Sequence, residues 1–208
     1  MHDSVLLSRH THLQRPVLQV AGPMALNLGR VHELCGNARR TLALQVAACC
    51  TGPVIWIAPG WAGERLNGEG MCRWVDPGRL IFVSPMRAED LLWSMEESLR
   101  SGAVALVVSE LPEPPGLTPV RRLHLAAETG GEQGRGAPLG LLLTPSPGGA
   151  PGIESRWSLS LAHRANENRW ELERLRARAA PPGRWILTDP GDPAATPKNR
   201  LRVETAQS

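Results

Sequence analysis

The sequence predicts an α/β domain built around a mainly parallel sheet. Short apolar runs of strand length alternate with helix-period segments from residue 30 to residue 143. Two of these runs, 103–108 and 139–143, are apolar throughout, as strands covered on both faces must be. The length, 208 residues, suits one domain with appendages that buries roughly 70% of its unfolded surface.

Residues 1–28 hold scattered apolar positions without a clean period, broken by Pro16 and by Gly22-Pro23, and read as an N-terminal arm. A core is expected over 29–164. Within it, 30–35 is a strand candidate, 39–50 a helix, 53–58 a strand, 60–77 mostly loop and 80–83 a strand. Residues 84–101 carry the best-marked helix: Ser84 suits the cap, Pro85 the first position and Gly102 the exit. Ala88, Leu91, Leu92, Met95 and Leu99 give it one apolar face. Residues 118–128 repeat the cap and proline signals, with Gly130-Gly131 expected to follow the helix. Residues 144–155 read as loop, and 156–162 alternate as a strand with Trp157, Leu159 and Leu161 on one side. Residues 165–187 form a C-terminal extension in which 170–178 and 184–187 flank Ala-Ala-Pro-Pro-Gly, read as a hairpin, with a short helix as the alternative for its first part. The polar, proline-bearing stretch 188–208 is expected to be a disordered tail.

Of the 23 basic residues only Lys198 is lysine, leaving 22 arginines, and the formal net charge is +3. That mild excess permits contact with nucleic acid or an acidic partner and demands neither. No apolar run reaches the ~20 residues of a membrane span, and Met1-His2-Asp3-Ser4 does not open a secretory signal, so a cytoplasmic protein is expected. Cys35, Cys49, Cys50 and Cys72 lack metal spacing and read as buried free thiols. Among seven tryptophans, Trp56 and Trp93 fall in apolar patterns and are expected in the core. The other five, Trp61, Trp74, Trp157, Trp170 and Trp185, have polar or glycine neighbours and suit partial burial or interface anchoring.

The stretch 29–44, Gly-Arg-Val-His-Glu-Leu-Cys-Gly-Asn-Ala-Arg-Arg-Thr-Leu-Ala-Leu, reads like a phosphate loop entering its first helix. A working loop needs Gly-x-x-x-x-Gly-Lys-Ser/Thr: amides to cradle phosphate, a lysine for the outer phosphates, a hydroxyl for magnesium. Here Gly36 and Thr41 are present, the loop is two residues short, and Arg39 and Arg40 occupy the Gly-Lys positions.

Gly29, Arg30, Glu33, Gly36, Thr41, Leu42, Leu44, Gln45 and Val46 together resemble the opening of the RecA recombinase core. By order of elements the resemblance extends over 29–187, and it implies a three-layer fold with a degenerate phosphate loop and a C-terminal β-hairpin. The family's strand-end carboxylate position holds Ser109, with Glu110 one place later, and its catalytic glutamate position holds Gly60. Phosphoryl transfer needs the phosphate charge neutralised and a water positioned, so the resemblance implies a pseudo-ATPase without a cofactor. The loop 144–155 stands where the family binds single-stranded DNA, yet it carries no basic residue. DNA contact is therefore expected to be weak or indirect.

Residues 95–108, 118–128 (Thr-Pro-Val-Arg-Arg-Leu-His-Leu-Ala-Ala-Glu) and 155–161 (Ser-Arg-Trp-Ser-Leu-Ser-Leu) resemble ImuA-like accessory proteins of bacterial mutagenesis cassettes and the related SulA division inhibitors. The ImuA resemblance implies an SOS-induced adaptor for error-prone translesion synthesis, nucleoid-associated when partnered. Its partners would be an inactive Y-family-like polymerase and an alternative replicative-type polymerase, with RecA as a further candidate. The alternatives are a SulA-like inhibitor of the tubulin-like division protein and a residual nucleotide-binding ATPase.

Arg39 and Arg40 read as a phosphate contact or as solvated or partner-facing first-turn residues, the latter favoured. The basic surface is expected to gather at Arg164, Arg169, Arg174, Arg176, Arg178 and Arg184, with Trp170 and Trp185 interleaved as partner-binding anchors. His32 and Glu33 lie mid-strand with no nucleophile, metal ligand or second carboxylate in view, and are expected to be structural. His10 and His12 lack partner spacing.

Overall fold

The computed structural model describes residues 16–134, 136–192, 195–196 and 200–206. Lys198, His10 and His12 lie outside the described residues. A hairpin, β1 (Val17–Ala21) and β2 (Met24–Asn27), leads into β3 (Val31–Cys35), α1 (Arg39–Cys49), β4 (Val54–Ile57), a short α2 (Gly68–Cys72) and β5 (Leu80–Val83). Then follow α3 (Ala88–Arg100), β6 (Leu106–Glu110), α4 (Leu117–Gln133), β7 (Leu139–Leu143), β8 (Ser155–Leu161), β9 (Asn168–Ala177), β10 (Gly183–Asp189) and β11 (Arg202–Thr205).

Nine strands form one mixed sheet in the order β11-β10-β9-β8-β3-β7-β6-β4-β5. From β8 to β5 every pairing is parallel, and from β8 to β11 every pairing is antiparallel. The α/β class and the mostly parallel sheet are as the sequence predicts. β6 and β7 are buried at every position, because helices cover both of their faces, although β6 starts three residues later than the apolar run 103–108 and takes in Ser109 and Glu110. One apolar layer joins α1, the β1–β2 hairpin and one sheet face from Trp56 to Leu187. The other joins α3 and α4 to the opposite face through Ile57, Val107 and Leu142.

Several boundaries differ from expectation, each for a visible reason. The predicted cap Ser84 and first-turn Pro85 lie outside α3. Ser84 Oγ accepts from Arg65, and the Pro85 carbonyl accepts the Gly60 N–H at 2.8 Å, so both are held in the loop. The helix starts instead at Ala88, with Glu89 and Asp90 in its first turn and Arg100 in its last, the polarity that the helix dipole favours. Likewise α4 runs through Gly130 and Gly131 instead of ending before them. A Cβ on Gly130 would stand 2.0 Å from the Leu99 carbonyl oxygen, so the missing side chain is what allows α4 to approach α3.

Within the predicted tail, Arg202–Thr205 is a strand paired with β10. Val203 packs against the β1–β2 turn at Gly22 and so joins the first and last described strands in one layer. The hairpin is a continuation of the central sheet, and Trp170, Leu172 and Leu187 belong to its core. Trp93, expected in the core, is 59% exposed on the outer face of α3. Among the described residues no helix is long and apolar enough to cross a membrane.

Candidate functional site

The site begins where β3 ends. Gly36 has φ +89, and a Cβ there would meet the Leu159 carbonyl oxygen at 2.3 Å. Only glycine lets the chain turn this close to β8. The next residues are bound to β8 as well. Ala38 donates its N–H to the Leu159 carbonyl at 3.0 Å, and Leu161 donates its N–H to Asn37 Oδ1 at 2.9 Å. Arg39 donates from Nη1 back to the Gly36 carbonyl. A phosphate cradle needs several free amides converging on one point. Here the loop is folded onto the neighbouring strand, and α1 begins at Arg39 with no side-chain cap.

Arg40, which the sequence sets at the lysine position, is the second residue of α1. Its Nε and Nη2 donate to Glu110 Oε2 at 2.9 and 2.7 Å, and Nη1 donates to Glu64 Oε2 at 2.8 Å. The other Glu110 oxygen accepts the Trp56 indole N–H at 2.8 Å. Burial alone would lower the Arg40 guanidinium, but its hydrogen bonds and charge pairing with Glu110 and Glu64 outweigh that and raise it. Two carboxylates therefore balance the charge of the Arg40 guanidinium.

The sequence places Glu110 opposite Ser109, as the structure does. What it missed is the consequence: the opposite face is the one that α1 covers, so Glu110 meets Arg40. The available signal was the strand period itself. Ser109 Oγ is buried with no partner. Arg40→Met is expected to lose about 2 kcal/mol by urea unfolding. That lies between an exposed pair and a buried one, since the side chains are 28% and 11% exposed. Arg40→Met/Glu110→Gln, which removes both charges and keeps an acceptor for the Trp56 indole, should recover most of the loss, and an unchanged midpoint in the single variant would contradict the pairing.

Behind the loop, β3 carries two buried polar residues. Glu33 accepts from Thr144 Oγ1 at 2.7 Å, from the N–H groups of Gly149 and Ala150, and from the Arg156 guanidinium. It thereby pins the 144–155 loop to the sheet. His32 bridges Ser155 Oγ at 2.6 Å and the Asn27 carbonyl at 3.1 Å. Since only a ring N–H can bond the carbonyl, Nδ1 is left to accept the Ser155 hydroxyl. Ser155 also accepts the Trp157 indole N–H. Both residues join elements together, and the buried His32 and Ser155 face one another rather than solvent.

Of the six C-terminal arginines, three line one open groove and three stand elsewhere on the extension. Trp170 is buried at 5%, edge-on to Trp74. Arg174 lies between the rings of Trp157 and half-buried Trp185, 5.4 and 5.1 Å from their centroids. Arg184 pairs with Glu171 and Glu173, and Arg178 with Glu154. Arg164, Arg169 and Arg184 line an open groove on the uncovered face of the β9–β11 extension, while Arg176 is exposed elsewhere on β9. Asp189, invisible as a site in sequence, holds Arg73 at 2.6 Å and locks the α2 segment to β10.

Of the thiols, Cys35 and Cys49 are buried, Cys50 is half-buried and Cys72 is exposed, so the expectation of four buried cysteines fails at Cys72. Burial pushes the Cys35 thiol up to about 11, and the charge of Glu33 acts in the same direction. No protein-family model matches the chain, and no curated protein matches it.

Proposed function

We propose that this chain is a non-catalytic, RecA-like adaptor of the ImuA type. It would support error-prone translesion synthesis by holding an inactive Y-family-like polymerase together with an alternative replicative-type polymerase. The observation that carries the non-catalytic part is the commitment of Arg40 to Glu110 and Glu64. With the lysine position neutralised and the Ala38 amide donated to β8, a triphosphate would have to break internal bonds to enter. The RecA-like reading is supported by the central place of β3, the strand that leads into this loop, between β7 and β8. The family-level partners rest on the sequence resemblance.

A fluorescent ATP analogue titrated with magnesium is expected to show no saturable binding in the micromolar range, and no phosphate release. Binding with turnover would overturn the reading. Tagged full-length chain in lysate from DNA-damaged cells is expected to retain the polymerases. Retention of the tubulin-like division protein in their place would support the SulA-like alternative instead.

A further inference from the structure

We infer that β5 is the contact strand of a two-fold dimer of this chain. β5 is the last strand of the sheet, paired only with β4 among the described residues. Edge strands are ordinarily blunted by lysine, proline, a bulge or a covering element. β5 is Leu-Ile-Phe-Val in unbroken register, with Ile81 50% and Phe82 52% exposed. The same edge carries Met86, 75% exposed, and Trp93 on the first turns of α3. Trp61, 49% exposed, follows Gly60, whose N–H bonds the Pro85 carbonyl next to Met86. Five large apolar side chains thus stand uncovered around this one edge, where a monomer ordinarily exposes such residues singly.

The backbone selects a second copy as the occupant. The Val83 carbonyl points inward, accepting the Ala58 N–H at 3.0 Å. Alternate residues turn their backbone groups to opposite edges, so the N–H and C=O of Phe82 face outward. Two antiparallel β5 strands related by an axis at Phe82 would exchange both of those bonds. In that register Phe82 meets Phe82 on one face, and Ile81 meets Val83 twice on the other. Every cross-strand pair next to the axis is apolar with apolar, which is the self-complementarity that an isologous interface requires. The product is one sheet running through both copies, with Trp93 flanking the seam on the α3 side.

Sedimentation of the full chain over a range of concentrations tests this. A reversible dimer is expected, and Phe82→Lys should make it monomeric while keeping the far-ultraviolet spectrum. A second variant does not depend on disrupting the edge. Phe82→Cys in a Cys72→Ser background should give a covalent dimer on mild oxidation, because a hydrogen-bonded antiparallel pair sets Cα atoms about 5.5 Å apart, within disulfide reach. Met86→Cys in the same background, exposed but off the axis, should cross-link far less. A monomer at all concentrations, a dimer that Phe82→Lys leaves intact, or equal cross-linking at both positions would overturn the proposal.

Discussion

Glu33→Ala is expected to lower the unfolding free energy by about 3–5 kcal/mol, the usual cost of removing one partner from a buried ion pair. The side chain is fully buried and its Arg156 partner is 16% exposed. Truncation leaves that guanidinium, the Thr144 hydroxyl and the amides of Gly149 and Ala150 without their acceptor. Each orphaned buried donor adds to the loss. Glu33→Gln keeps the volume and one acceptor oxygen, and should fall between the variant and the parent. Urea unfolding followed by tryptophan fluorescence gives the magnitude, and hydrogen exchange locates it. Gly149 and Ala150 should lose protection before the β3 and β7 amides do. A loss below about 1 kcal/mol for Glu33→Ala would mean that water replaces the network at little cost.

That network shows where sequence reasoning stops. The strands β3, β4, β5 and β7 and the helix α1 are legible because each carries its own period or apolar run, and local pattern suffices. The 144–155 stretch is equally legible as loop. Nothing local, though, says that its amides converge on a glutamate more than a hundred residues earlier. The same limit hides the pairing of Arg40 with Glu110, seventy positions apart, although the residue types and the strand face were both visible.

The misjudged helix ends have another origin. Ser84 and Pro85 have the right chemistry for a cap, yet tertiary bonds to Arg65 and Gly60 claim them first. Gly130 and Gly131 have the right chemistry for a stop, yet a close helix crossing makes glycine a packing residue there. Trp170 and Trp185 looked like surface anchors because their neighbours are polar. In a sheet strand alternate neighbours point the other way, and Trp170 faces the core shared with α1. The Phe82 edge was missed for the converse reason: an apolar run reads as interior whether or not a further strand exists to cover it.

The pH dependence of stability should expose the second buried residue of β3. Burial pushes the His32 imidazole down to about 4 from 6.5, only partly offset by its bond to the Asn27 carbonyl and the charge of Glu154. His124 and Arg30, also facing it, push it further down. The folded state thus holds His32 neutral where the unfolded chain already binds a proton. Stability from this group is complete above pH 6.5, declines as pH falls and levels off below about 4. Across that window the loss is about 3 kcal/mol, at 1.36 kcal/mol per unit. His124, also lowered chiefly by burial and then by Arg30, adds in the same direction. Chemical unfolding at a series of pH values should show this slope in the parent and a shallower one in His32→Asn. By NMR the His32 ring should stay in one tautomer, with Nε2 protonated toward Asn27, down to about pH 4. A ring that titrates near 6.5, or a slope that His32→Asn leaves unchanged, would mean that solvent reaches β3 through the hairpin that covers it.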